Sequence, residues 1–262
     1  MQNLSVPGKP ERVYPKILRR NFLFRCHECV EEREKNTQLI LNYLSDLSVN
    51  NNRKWYHEHK AENKAANTEF EALVGALSLR IGEFDSSVLH NEPKNFTFKL
   101  VRDTRFSHDK SPYHPAFRAH ISSQGKLPVP VGYYLMIKPG GQSFLGGGLF
   151  ADMFKDATAM VRDYIVGNGR EFEDIIHDSE FEKYFSVQGS ALKNVPAGYD
   201  KEHPQAEYLK YKSWYLEYPL KDEDLQDAEA FLSKAAHLFH IMKPFNDYLN
   251  KALANFQMPA RQ

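Results

Sequence analysis

The chain has 262 residues and a mass of 30.3 kDa, with 42% hydrophobic and 13% aromatic residues, enough apolar material for a large core, which excludes wholesale disorder. Thirty-four Lys and Arg balance thirty-four Asp and Glu, so no global field draws the chain to nucleic acid or to an anionic membrane, and charged partners fall to local patches. No apolar run approaches the ~20 residues that span a bilayer, no signal-peptide pattern opens the chain, and two cysteines make no disulfide framework. The expectation is a soluble, cytoplasmic protein.

Residues 1–35 read as a basic, flexible extension. Up to Arg25, Lys9, Arg12, Lys16, Arg19, Arg20 and Arg25 face a single acid, Glu11, and Pro7, Pro10 and Pro15 interrupt helical pairing. Cys26 and Cys29 have C-x-x-C spacing, but no second cysteine pair exists to complete a zinc site. Residues 36–262 read as a single domain. Leu39, Ile40, Tyr43, Leu44 and Leu47 recur at helical steps, Asn50-Asn51-Asn52 breaks the pattern, and a second helix is expected over 53–84, giving an αα-hairpin. Period-two alternation then predicts strands over 96–101, 119–122, 131–137 and 143–149, with Lys138-Pro139-Gly140-Gly141 as a hairpin turn. Helices are expected over 151–166 and 171–184, a late strand over 213–219, and two closing helices over 222–239 and 245–256. Strands grouped between helical ends, without βαβ alternation, indicate an α+β fold: a central antiparallel sheet flanked by the N-terminal helical hairpin and C-terminal helices.

Two polar clusters carry the candidate chemistry. The first runs from Arg102 to His114, immediately after a predicted strand. Arg102 and Arg105 can clamp a phosphate or carboxylate, Lys110 adds a point charge, and Tyr113 lines the same loop. Asp103 and Asp109 are candidate bases, or they orient the arginines or hold a divalent cation. Charges this dense also pair with one another, so the alternative is a loop whose ions satisfy each other. The second cluster, Lys193 to Lys210, adds Lys193 as an anion ligand and His203 as a general acid or base, the alternative for His203 being a structural histidine. Asp200 is the expected cap of a short helix after Pro204. Gly146-Gly147-Gly148 lacks the Lys-Ser/Thr of a phosphate-binding loop and is followed by Asp152, so close backbone packing is its better reading. His108, His114 and His120 are six apart, a spacing that fits no zinc motif, and no metal is assigned.

Asn51-Asn52-Arg53-x-Trp55-Tyr56, Arg102-Asp103-x-Arg105-Phe106-Ser107-x-Asp109-Lys110-x-Pro112-Tyr113, Gly132-Tyr133-Tyr134, Gly146-Gly147-Gly148, Leu192-Lys193-x-x-Pro196-x-Gly198-Tyr199-Asp200 and His203-Pro204 occur in this order. From about Gln38 to the C-terminus the chain thereby resembles the bacterial family called domain of unknown function 2461. The resemblance implies a shared fold and shared motif positions but no activity, and it makes residues 1–35 an addition. His114 departs from the lysine or asparagine of many relatives, which weakens any catalytic role for it. The resulting expectation is binding or turnover of a small anionic ligand, phosphorylated compounds included, at the Arg/Asp/Lys-rich loop. A scaffold with a structural salt-bridge network is the main alternative. A nucleic-acid-binding module is a further one, disfavoured by the zero net charge. Catalysis, cofactor and oligomeric state are left open.

Overall fold

The computed structural model of the chain describes residues 37–105, 107–150 and 154–259. The basic extension with its cysteine pair, Phe106 and Asp152 lie outside these residues.

Helix α1 covers residues 37–49 and buries Ile40, Tyr43, Leu44 and Leu47, the stripe expected from its periodicity. Asn50 ends it, and the Asn52 side chain caps α2 (Arg53–Glu58) by accepting the Trp55 N–H at 3.0 Å. The single helix expected over 53–84 is interrupted at His59, whose φ of −105° and ψ of 34° leave the helical region, so α3 runs separately over Lys60–Ile81. Phe70, Leu73, Val74, Leu77 and Ile81 of α3 enter the core. A 3-10 turn (Ser86–Val88) and the short α4 (Pro93–Phe96) follow.

The strand expected over 96–101 does not form. Pro93 starts a helical turn that takes up Phe96, and the remaining strip makes only two isolated bridges, Thr97 with Ala119 and Val101 with Tyr113. The sheet proper consists of β1 (Phe117–Ile121), β2 (Tyr133–Ile137), β3 (Ser143–Leu149) and β4 (Trp214–Leu220), antiparallel throughout in the order β1-β2-β3-β4. Between β3 and β4 lie α5 (Lys155–Gly167), α6 (Gly169–Ile176), α7 (Ser179–Tyr184) and α8 (Ala206–Leu209). The helix expected over 171–184 splits because Asp178 caps α7, accepting the N–H groups of Glu180 and Phe181.

The two closing helices are one. After a 3-10 turn (Asp222–Leu225), α9 runs over Ala228–Ala252 with Pro244 inside it. Pro244 and His240, whose carbonyl loses its partner, are both exposed, so water can serve that carbonyl, while buried Met242 and Phe245 hold the turn to the core. The first face of the sheet is the core: Phe117 stacks on Phe70 of α3 at 5.2 Å, and Tyr133 meets Phe239 of α9 at 5.2 Å. Two asparagines of α9 also bond sheet backbone. Asn246, 2% exposed, accepts the Gly148 N–H at 2.8 Å and donates to the Gly132 carbonyl at 3.1 Å. Asn250 accepts the Val131 N–H and donates to the Val131 carbonyl. No helix among the described residues is long and apolar enough to cross a membrane.

Candidate functional site on the open sheet face

Side chains alternate across a strand, so the register that buries one face fixes what the other presents. The row His120, Tyr134, Gly146, Glu217 crosses all four strands, and the neighbouring row is Arg118, Met136, Phe144, Pro219. This second face is not closed over: Arg118, Tyr134, Met136, Phe144, Tyr215 and Glu217 all keep partial exposure. Its rings form a connected series. Phe98 lies 6.5 Å from Tyr134, Tyr134 is 5.5 Å from both Phe144 and Phe150, and Phe150 stacks on Tyr215 at 4.7 Å. Gly146 makes this possible: a Cβ there would come within 3.0 Å of Phe150 Cζ and 3.3 Å of Phe144 Cε2. At Gly148, φ is +88° and a Cβ would lie 2.4 Å from the Trp214 carbonyl oxygen. Close backbone approach is thus what the glycine triplet provides, and it lies within β3.

Polar groups stand at both ends of this aromatic surface. The Arg118 guanidinium sits 5.4 Å from the centre of the Phe98 ring and donates through Nη2 to the Lys99 carbonyl at 3.4 Å, while its buried Nε has no partner among the described residues. Lys138 extends β2 with the same parity as Tyr134 and Met136. His114 is held below its ordinary pKa by burial first and then by the positive charges of Arg118 and Arg102, against which Asp109 acts, so these groups share one electrostatic neighbourhood. Burial pushes His120 down to about 4, and its Nδ1 also lacks a partner among the described residues. At the far end, burial raises the Glu217 carboxyl, which makes no hydrogen bond or ion pair with another described residue. Tyr134 and Tyr215 are also raised, chiefly by burial, with Arg118 opposing the shift at Tyr134 and Glu217 adding to it at Tyr215. A cavity of about 450 Å³, lined by Phe98, Lys126, Leu127, Pro128, Phe154, Met258 and Pro259, shares Phe98 with the aromatic series.

The Arg102–Tyr113 loop is largely self-satisfied. Arg102 pairs with Asp109 and donates to Ser107 Oγ at 3.2 Å. Arg105 grips the exposed Asp103 through Nε at 3.0 Å and Nη2 at 2.6 Å. Lys110 donates to the Thr104 carbonyl at 3.0 Å. Arg105 holds the Asp103 carboxyl down to about 2, and Ser111 and Arg102 hold Asp109 well below the usual carboxylate range. Such carboxylates are weak bases at neutral pH. Tyr113 is buried, with its ring stacked 3.9 Å from Tyr56 and its backbone held at both polar groups by the Asn51 side chain.

Lys193 and His203 lie elsewhere. The strip 97–101 borders β1 and the strip 188–191 borders β4, so five strand spacings of ~4.8 Å, roughly 24 Å, separate them. They also meet opposite ends: Val101 pairs before Phe117, on the Leu220 side, whereas Ala191 pairs with Tyr211, before Trp214. The two clusters occupy opposite corners of the sheet and cannot hold one small ligand. Lys193 is exposed, and His203 Nδ1 accepts the Gln205 N–H at 3.1 Å. Asp200 is not the helix cap expected of it. Its Oδ1 accepts the Glu202 N–H in a tight turn, and α8 starts after Gln205 with no side-chain cap. Among the described residues, no group of three or more His, Cys, Asp or Glu is arranged to hold a metal ion.

Sequence reasoning missed Arg118, His120, Tyr134, Phe144, Tyr215 and Glu217. The available signal was Phe-Arg-Ala-His-Ile in β1 and Trp-Tyr-Leu-Glu-Tyr-Pro-Leu in β4, where charged and aromatic residues occupy the face opposite the core. No curated protein and no solved structure matches the chain. Residues 39–248 match the family model of a conserved hypothetical protein, DUF2461, a span that holds both polar clusters and the whole sheet. The chain belongs to the DUF2461 family.

Proposed function

We propose that this protein binds a small planar anion on the open face of the sheet. The observation that carries the reading is the joining of Arg118, whose buried Nε has no partner among the described residues, to the ring series Phe98, Tyr134, Phe144, Phe150 and Tyr215. Guanidinium and ammonium groups recognise carboxylate or phosphate oxygens, and ring faces supply sequence-tolerant stacking area. Arg118 and Lys138 serve the anionic end. Glu217, with its raised pKa, favours a polar group of the ligand that shares a proton with it. Arg102, Arg105 and Lys110 belong to the rim, where they add positive potential while remaining bonded to their own loop. The absence of a helix long enough for a membrane span among the described residues is compatible with a cytoplasmic setting for such a ligand.

Titration calorimetry with 1-naphthyl phosphate and 2-naphthoate tests this reading. Binding weakens at least tenfold in Lys138→Ala and in Arg118→Gln, and changes less than twofold in Arg105→Ala. The proposal fails if neither compound binds, or if Arg105→Ala abolishes binding while Lys138→Ala leaves it intact.

A second reading applies to the Arg102–Tyr113 loop taken alone, and the mutual pairing of its ions favours it. On that reading the loop is a structural brace between the sheet edge and the helical hairpin, and Asn51→Ala lowers stability without changing affinity for any anion.

A further inference from the structure

We infer that a second, separate pocket between α1 and the α2–α3 pair binds a small organic cation. The cavity measures about 540 Å³, within the ~300–1,000 Å³ usual for ligand sites, and most of its wall is apolar. Tyr43, Trp55 and His59 provide its rings, and Asp46 and Glu62 its charges; among the described residues no Lys or Arg lines it. Trp55 and His59 stack with centres 4.1 Å apart, and Tyr43 stands 6.0 Å from Trp55.

The polar groups within this wall are arranged for positive charge. The Tyr43 hydroxyl accepts from Asn63 Nδ2 at 2.8 Å, which fixes the ring. His59 directs Nδ1 at the Trp55 carbonyl, 2.9 Å away, and so is held against the indole. Asp46 and Glu62 make no side-chain hydrogen bond or ion pair with any described residue, although both border the cavity. Two carboxylates without a partner among the described residues, set beside an aromatic wall, repel anions. They attract a cation whose apolar substituents bury against the rings and whose charge interacts with ring faces and carboxylates together. A quaternary ammonium, or an alkylated amine with a compact apolar body, has that chemistry. The sheet-face reading uses none of these residues, so the two proposals stand or fall separately.

The full chain provides its own probe, because Trp55 and Trp214 are its only tryptophans and Trp214 is fully buried with its indole N–H bonded to the Tyr208 carbonyl. Intrinsic fluorescence is titrated with choline and with benzyltrimethylammonium, using 3,3-dimethylbutan-1-ol as the uncharged isostere of choline. The expected result is a saturable change with the cations, at least tenfold weaker with the alcohol. Asp46→Asn combined with Glu62→Gln weakens cation binding at least tenfold. Both side chains are exposed, so this double variant is expected to melt within a few degrees of the parent; circular dichroism verifies that it is folded. No saturable change with either cation overturns the proposal. So does an equal response to the alcohol, or a folded double variant that binds as tightly as the parent.

Discussion

Replacing Asn246 with alanine tests how the core helix holds the sheet that carries the candidate site. Asn246 is 2% exposed and makes two bonds to sheet backbone, accepting from Gly148 N–H and donating to the Gly132 carbonyl. Alanine leaves one buried donor and one buried acceptor without partners. At about 1–3 kcal/mol for each unsatisfied buried group, the expected loss is roughly 2–6 kcal/mol. For a domain of this size, that corresponds to a fall in melting temperature of roughly 4–24 °C. Urea unfolding is the assay: the midpoint should move down while the slope stays constant, since the surface exposed on unfolding is unchanged. Asn250→Ala removes a similar pair of bonds to Val131, but Asn250 is only partly buried, so water can replace them and the loss should be smaller. A loss below about 1 kcal/mol at Asn246 would refute the reasoning, because it would mean that the freed groups find other partners at little cost.

Further outcomes follow from the same geometry. Gly147→Ala places a Cβ 3.0 Å from Met242 Sδ and 3.1 Å from Asn246 Oδ1, so overpacking should cost about 1–3 kcal/mol, measurable by calorimetry. His120 has a folded pKa of about 4, below its ordinary value of 6.5, so the unfolded chain takes up the proton first as pH falls; stability should decline from about pH 6.5 towards 4, and His120→Leu should flatten that slope in urea midpoints. Glu217 shows the opposite sign. Its pKa is raised on folding, so its contribution is full below the ordinary carboxyl range and is lost as pH rises through the folded value; Glu217→Gln should therefore melt higher than the parent at pH 8, with the gap closing at pH 4.

The helical faces were legible because periodicity states which residues must be buried: the α1 and α3 stripes and the extent of β3 follow from the pattern alone. Boundaries failed where one local interaction outweighed the pattern. Asp178 divides a helix by capping, and Pro93 turns a predicted strand into a helical turn. The two closing helices expected over 222–239 and 245–256 erred in the other direction, since exposed Pro244 lets α9 continue through it. The charged loop was visible as a cluster whose ions could satisfy one another, but which arginine meets which aspartate was not. Nor could the sequence reveal that Lys193 and His203 lie at the far corner, which depends on β1 and β4 forming opposite edges. The open face was hidden for a related reason. Arg118, Tyr134 and Glu217 are 16 and 83 residues apart along the chain, and only the four-strand register puts them on one surface.

Aromatic ¹³C NMR of the Phe- and Tyr-labelled protein, recorded while 2-naphthoate is added, tests ligand binding at this face most directly. Resonances of Tyr134, Phe144, Phe150 and Tyr215 should shift together along one saturation curve, while Tyr113 and Tyr56 stay in place. Shifts confined to Tyr113 and Tyr56, or no shifts at all, would contradict a ligand site on the open sheet face.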